Sequence, residues 1–151
     1  MPDPQPSQRL FPMLSYADAP EAIRFLCEAF GFEECYRLPM EDGRIGHAEL
    51  AYGGHVLMLA SEYPEMGLVS AHKVETRYSQ ILCYVDDVDA HYARARAAGA
   101  TIAAPPEDQF YGDRSYRAVD PEGHRWIFST RVREVSPEEM GGVRPGGGTP
   151  A

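Results

Sequence analysis

The feature that most restricts the fold is a repeat. Gly31 and Gly99, each closing a run of helical periodicity, stand 68 residues apart, and Gly54-His55-Val56-Leu57-Met58 is matched by Gly123-His124-Arg125-Trp126-Ile127 at a spacing of 69. The helix-capping aspartates keep the same offset, Asp18 against Asp86 or Asp87. Agreement at three separate anchors means that one supersecondary unit is used twice. With 151 residues, the two units are small enough to require a shared core.

The first unit begins with an apolar strand from Leu10 to Tyr16. Asp18 then offers an N-cap, with Pro20 and Glu21 in the first helical turn. Ile23, Leu26, Cys27 and Phe30 recur at i, i+3, i+4 and i+7, which buries one helix face, and Gly31 supplies the left-handed stop. Strands over 32–38, 45–51 and 55–60 follow, separated by Asp42-Gly43 and Gly53-Gly54 turns. After a connector over 61–77 without clean periodicity, a lid or a crossover, the pattern restarts: a strand over 78–85, then a helix carrying Val88, His91, Tyr92 and Ala95. A short strand over 100–104 is expected to break at Pro105-Pro106, and two last strands flank Asp120-Pro121-Glu122-Gly123, a type I turn sequence. The fold class is therefore α+β, with two tandem βαβββ modules forming a curved mixed sheet around a ligand cleft. Module one covers 9–61, a linker 62–77 and module two 78–131, with flexible tails over 1–8 and 132–151.

Charge and composition remove several functions. A net charge of −9 disfavours a nucleic-acid or anionic-membrane surface. No apolar run reaches the roughly 20 residues of a membrane span, and the N-terminal MPDPQPSQ lacks the basic and apolar regions of a signal peptide. A cytoplasmic location follows by default. Cys27, Cys35 and Cys83 form no CxxC pair and are odd in number, so they read as free thiols, with Cys27 and Cys83 buried.

The stretches YADAPEAIRFLCEAFGF (16–32), RIGHAEL (44–50), GGHVLMLAS (53–61), YGDR (111–114) and DPEGHRW (120–126) resemble the vicinal oxygen chelate superfamily, which includes glyoxalase I, extradiol dioxygenases and the bleomycin- and fosfomycin-resistance proteins. The last two stretches resemble its bleomycin-resistance-like and PhnB-like branch. The resemblance implies paired βαβββ modules, a homodimer and a small-molecule cleft between concave sheets. It also implies four metal-ligand positions in the metal-using members, which fall here on Phe11, Met58, Gln80 and Ile127. Three of these cannot ligate a hard divalent ion, so neither a classical metal site nor any other cofactor is expected.

Strand parity, counted from the repeat, places Ile45, His47, Glu49 and Met58 of module one and Gln80, Arg114, Tyr116 and Ile127 of module two on the cleft face. Trp126 has the opposite parity and belongs to the core. Arg114 and Tyr116 are expected to clamp an anionic or planar ligand, unless the arginine is spent on an ion pair. Phe110 and Tyr111 stand beside a turn, where they flank a ligand mouth or pack a strand end. His47 and Glu49, two apart on one face, share a proton, hold an improvised metal, or are an ordinary surface pair. Three functions remain open: a metal-independent binder of a hydrophobic or aromatic compound of the antibiotic-resistance type, a divalent-metal-dependent lyase, isomerase or dioxygenase using His47 and Glu49, and an accessory or regulatory module. A small-molecule ligand and a second copy of the chain are the expected partners; nucleic acid and membrane are not.

Overall fold

A computed structural model describes residues 8–143 and 145–147. Module one contains β1 (Met13–Tyr16), α1 (Ala19–Phe30), β2 (Glu33–Pro39), β3 (Ile45–Tyr52) and β4 (His55–Ser61). Module two repeats the order with β5 (Gln80–Tyr84), α2 (Val88–Ala97), β6 (Thr101–Asp108), β7 (Asp113–Val119) and β8 (Arg125–Arg131). Each module forms its own four-stranded sheet, in the orders β1-β4-β3-β2 and β5-β8-β7-β6. The β1–β4 and β5–β8 pairs are parallel and the rest antiparallel, so both sheets are mixed. The expected tandem βαβββ architecture is present.

The local signals act as their chemistry dictates. Asp18 Oδ1 accepts the Glu21 amide at 3.2 Å, and Gly31 ends α1 at φ 82°. Asp87, rather than Asp86, caps α2 by accepting from the Ala90 amide. Two expectations change. β6 continues through Pro105-Pro106 instead of ending before them, because it is an edge strand whose register to β7 shifts between Ala104 and Glu107, where no ladder donor is required. The connector is not featureless: it carries 3₁₀ turns at Pro64–Met66 and Ala71–Lys73 and a Tyr63–Leu68 bridge, and it buries Ser70. Of the two expected tails, residues 1–7, 144 and 148–151 lie outside the described residues. Residues 132–135 are held against Gly112, whose carbonyl accepts the Val132 and Arg133 amides. A Cβ on Gly112 would stand 2.3 Å from the Arg133 carbonyl oxygen, and its φ is +101°, so that position requires glycine.

The core lies between the two modules. α1 presents Ala22, Ile23, Phe25, Leu26, Ala29 and Phe30 to it, and α2 presents Val88, His91 and Ala95. The Phe30 ring packs at a tilt with its centroid 4.7 Å from that of Phe128 and 5.4 Å from that of Trp126, both on β8. The helices thus pack on one another and each on its own sheet, with Phe30 reaching across to β8, and the other face of each sheet is turned outward. His91 locks this layer: Nε2 donates to the Phe30 carbonyl at 2.8 Å, so Nδ1 is the acceptor for the Tyr116 hydroxyl at 2.6 Å. Burial holds the His91 pKa below its ordinary value and pushes the Tyr116 phenol up.

A second tie runs through the Asp120–Gly123 turn. Asp120 Oδ2 accepts from the Tyr16 hydroxyl at 2.7 Å and from Trp126 Nε1 at 3.2 Å, while Oδ1 takes the amides of Glu122 and His124. Glu122 reaches into module one, where its oxygens accept the Ala17 amide at 2.6 Å and the Asp18 amide at 2.8 Å, and it also accepts from Ser70 Oγ. His124 Nε2 donates to the Ser15 carbonyl at 3.0 Å. This turn of module two therefore supplies the caps for the β1–α1 junction of module one.

Two outcomes follow for stability. Glu122→Gln replaces an acceptor by a donor opposite two amides, and is expected to cost about 2–4 kcal/mol in urea denaturation. Because the folded pKa of His91 is depressed below 6.5, the unfolded chain takes up that proton first. Its contribution is complete above about pH 6.5 and declines as pH falls below that value. Denaturation midpoints measured between pH 7.5 and 5 are expected to show this decline, and His91→Gln to flatten it.

Candidate functional site

Side chains of directly paired residues share a sheet face, so the strand registers define the outward surfaces. On module one, Glu49 pairs with Met58 and with Tyr36, His47 with Leu38, and Met13 with Met58. His47, Glu49 and Met58 are therefore together on the outer face of the first sheet, as parity predicts. His47 Nε2 stands 3.3 Å from Glu49 Oε1, and the Tyr36 ring lies 6.3 Å from the imidazole. Glu49 is only 1% exposed, and its Oε2 is the one buried side-chain polar atom without a hydrogen-bond partner among the described residues.

On module two the expectation fails for two residues. Tyr116 pairs with Phe128 and is fully buried on the helix side, bonded to His91. Arg114 lies on that same side and spends its guanidinium on Asp89 of α2 at 3.2 Å and Asp108 of β6 at 3.1 Å. The cause is turn length. Between Glu49 and its partner Met58 there is one residue fewer than between Arg117 and its partner Ile127. Counting module two as if its turn matched module one inverts the whole of β7. The outward residues are Asp113, Ser115 and Arg117, beside Ile127 and Ser129 of β8 and Leu82 and Tyr84 of β5.

These residues, which sequence reasoning missed, form a connected polar layer. Tyr84 Oη donates to Asp113 Oδ2 at 2.7 Å, Arg131 Nε donates to Asp113 Oδ1 at 2.6 Å, and Ser115 shares a hydrogen bond with Ser129 at 2.8 Å. Arg117 is the repeat counterpart of Glu49, and among the described residues it makes no ion pair. Gln80 is exposed at the start of β5 opposite Arg125. Phe110 is exposed in the β6–β7 turn with Tyr111 edge-on at 5.3 Å, away from His47 by sheet and by module. The site residues thus divide into His47, Glu49 and Met58 on module one, Gln80 on the edge of module two, Phe110 and Tyr111 at a turn, and Arg114 and Tyr116 on the core side.

Two hollows adjoin these surfaces. One, of about 560 Å³, is lined mainly by apolar groups, including Met13, Met40, Ile45 and Leu68, with His47 in its wall. The connector residues Tyr63 and Leu68 close one side of it. The other, of about 450 Å³, is a groove between modules bounded by Tyr52, Ile81, Cys83 and Trp126. Cys83 there is a half-buried free thiol whose pKa is pushed up to about 11 by burial, which leaves it inert as a nucleophile. Cys27 is also half-buried and Cys35 exposed.

The donor set does not suit a divalent ion. Of the positions that the resemblance assigns to metal ligands, Met58 and Ile127 offer no oxygen or nitrogen, and Leu82, not Gln80, is the residue beside Ile127. Among the described residues no three His, Cys, Asp or Glu side chains converge.

Comparison with known proteins agrees with this architecture. The sequence model of the Glyoxalase/Bleomycin resistance protein/Dioxygenase superfamily matches residues 11–128. An uncharacterized protein of Mycobacterium tuberculosis (strain ATCC 25618 / H37Rv) is 39% identical over 134 residues, covering 87% of this chain and 79% of the relative. The crystal structure of TioX from Micromonospora sp. ML1 superimposes with a TM-score of 0.68 at 36% identity, covering 83% of this chain and all of that one. The fosfomycin resistance protein FosX of Listeria monocytogenes shares the fold, with a TM-score of 0.61 at 19% identity over 89% of this chain and 98% of its own.

A buried carboxylate oxygen without a donor is costly. Glu49→Leu, which removes it at similar volume, is expected to stabilise the protein by about 1–3 kcal/mol in urea denaturation.

Proposed function

Because the chain belongs to the Glyoxalase/Bleomycin resistance protein/Dioxygenase superfamily, we propose that it is a metal-independent binding protein for a small hydrophobic or aromatic molecule, of the antibiotic-sequestering kind. The observation that carries this reading is the largely apolar hollow of about 560 Å³ beside β1, β3 and β4 of module one, a volume within the range of small-molecule sites, with His47, Arg44 and Glu62 as its titratable lining. Its lining of methionine and aliphatic side chains adapts to large planar or aliphatic groups. The unsuitability of Met58 and Ile127 as ligands favours binding over metal-assisted lyase, isomerase or dioxygenase chemistry. FosX, a fosfomycin resistance protein whose fold this chain shares, is consistent with a small-molecule role and does not specify the compound.

The site on one copy is open, and a second copy is its natural cover. The outer face of each sheet lies opposite the helix layer that joins the modules, and β1 and β5 are edge strands of the two sheets. Met13, Leu82 and Tyr84 are exposed beside those edges. Joining β1 of one copy to β5 of another hides both edges and encloses the hollow between module one of one chain and module two of its partner. Charge at Leu82 is then incompatible with assembly.

Isothermal titration against a panel of planar aromatic antibiotics is expected to give stoichiometric heat for at least one compound in metal-free protein. No heat across the panel, or activity that appears only with a stoichiometric divalent ion, would overturn the reading. Leu82→Glu is expected to yield a monomer by light scattering and to weaken that binding at least tenfold.

A further inference from the structure

Arg77, near the end of the connector, is fixed in position while its charge is left unanswered. Its Nε donates to the Gly123 carbonyl at 2.7 Å and its Nη1 to the Val74 carbonyl at 2.5 Å. The guanidinium lies so close to the turn that a Cβ on Gly123 would stand 2.5 Å from Nη2; glycine there, at φ +92°, makes the room. Carbonyls orient a guanidinium without neutralising it, and these contacts use two of its five N–H groups. Among the described residues no carboxylate comes within ion-pair distance of Arg77, or of Arg125 at the start of β8. Arg24, Arg37, Arg44, Arg114 and Arg131, by contrast, each have an acidic partner.

The two arginines meet at one hollow. It measures about 250 Å³ and is lined by Arg77, Tyr78, Ser79, Gln80 and Arg125, where the connector enters β5 and β8 begins. Gln80 pairs with Arg125 across the parallel β5–β8 ladder, so both side chains leave the sheet on one side. The lining offers guanidinium, hydroxyl and amide donors, and it contains no carboxylate. Asp120 and Glu122, the acids of the adjoining turn, are buried, and their oxygens are taken by Tyr16, Trp126, Ser70 and backbone amides. Nothing in the lining answers the cations.

We propose that this hollow binds the phosphate group of a small molecule. A tetrahedral phosphate has acceptor oxygens enough for two guanidinium forks and the Ser79 hydroxyl, whereas a carboxylate is filled by one fork. The Tyr78 ring, 84% exposed at the rim, presents a face to a planar group esterified to that phosphate. Bound there, the anion ties the end of the connector to the first residue of β8. This hollow shares no lining residue with the one beside His47, so the two sites are separate.

Isothermal titration of the full-length protein in phosphate-free buffer with phenyl phosphate, inorganic phosphate and benzoate, at matched ionic strength, tests this. Phenyl phosphate is expected to saturate one site per chain and to bind at least tenfold more tightly than benzoate. Arg125→Gln removes an exposed guanidinium that has no ion pair in the fold among the described residues. It is expected to leave thermal unfolding of the free protein unchanged and to weaken phenyl phosphate binding at least tenfold. Tighter binding of phenyl phosphate than of inorganic phosphate, lost in Tyr78→Ala, identifies the ester as the occupant; the reverse order identifies the free ion. Equal affinity for phenyl phosphate and benzoate, affinity unchanged in Arg125→Gln, or no saturable binding of either phosphate overturns the inference.

Discussion

Everything outward in this structure depends on two carboxylates turned inward. Asp120 and Glu122 sit in one turn of module two, yet most of what they hold belongs to module one: the Tyr16 hydroxyl, the Ala17 and Asp18 amides and, through Ser70, the connector. Hydroxyl, indole and backbone N–H donors answer these charges, with the His72 ring 3.4 Å from Glu122. The result is a fixed angle between the modules. The Phe30–Trp126–Phe128 cluster and the His91 bridge then fill the space that the angle defines. With the helices trapped between the sheets, each concave face has nowhere to point except away from the core.

That arrangement explains which parts of the molecule were legible in the sequence. The repeat, the caps of both helices, Gly31 and the hairpin turns are local signals, and local chemistry decides them. The pairing of His47, Glu49 and Met58 was legible for the same reason, since two-residue turns transmit parity faithfully. Arg114 and Tyr116 were misplaced because one additional residue between β7 and β8 reverses every side chain on β7, and a repeat-based count carries the first module's turn into the second. The signal that could have corrected this was present: Asp113, Ser115 and Arg117 alternate with Arg114, Tyr116 and Ala118, and only the latter set contains residues able to fill an aromatic core. The bond between Tyr116 and His91 was beyond reach, because it joins residues from separate elements. The passage of β6 through two prolines was hidden for a related reason. Proline is read as a breaker unless the strand is known to be an edge.

Under the binding role proposed above, the outer face of module one is the functional surface. Among the described residues the other buried side-chain polar atoms are paired, and the strain-free solution at position 49 would be apolar. A carboxylate is instead held beside a half-buried imidazole, next to a hollow lined by methionine and aliphatic groups. Local inconsistency of this sort concentrates at sites that bind or react, because stability there is exchanged for recognition.

The central claim is that a small molecule occupies the hollow beside His47, not the groove between modules bounded by Tyr52 and Trp126. A crystal structure with a bound planar aromatic antibiotic decides between them. The account predicts density on the outer face of module one, in the hollow between Met13, Met40 and His47. A ligand seated instead against Tyr52, Cys83 and Trp126 would contradict it.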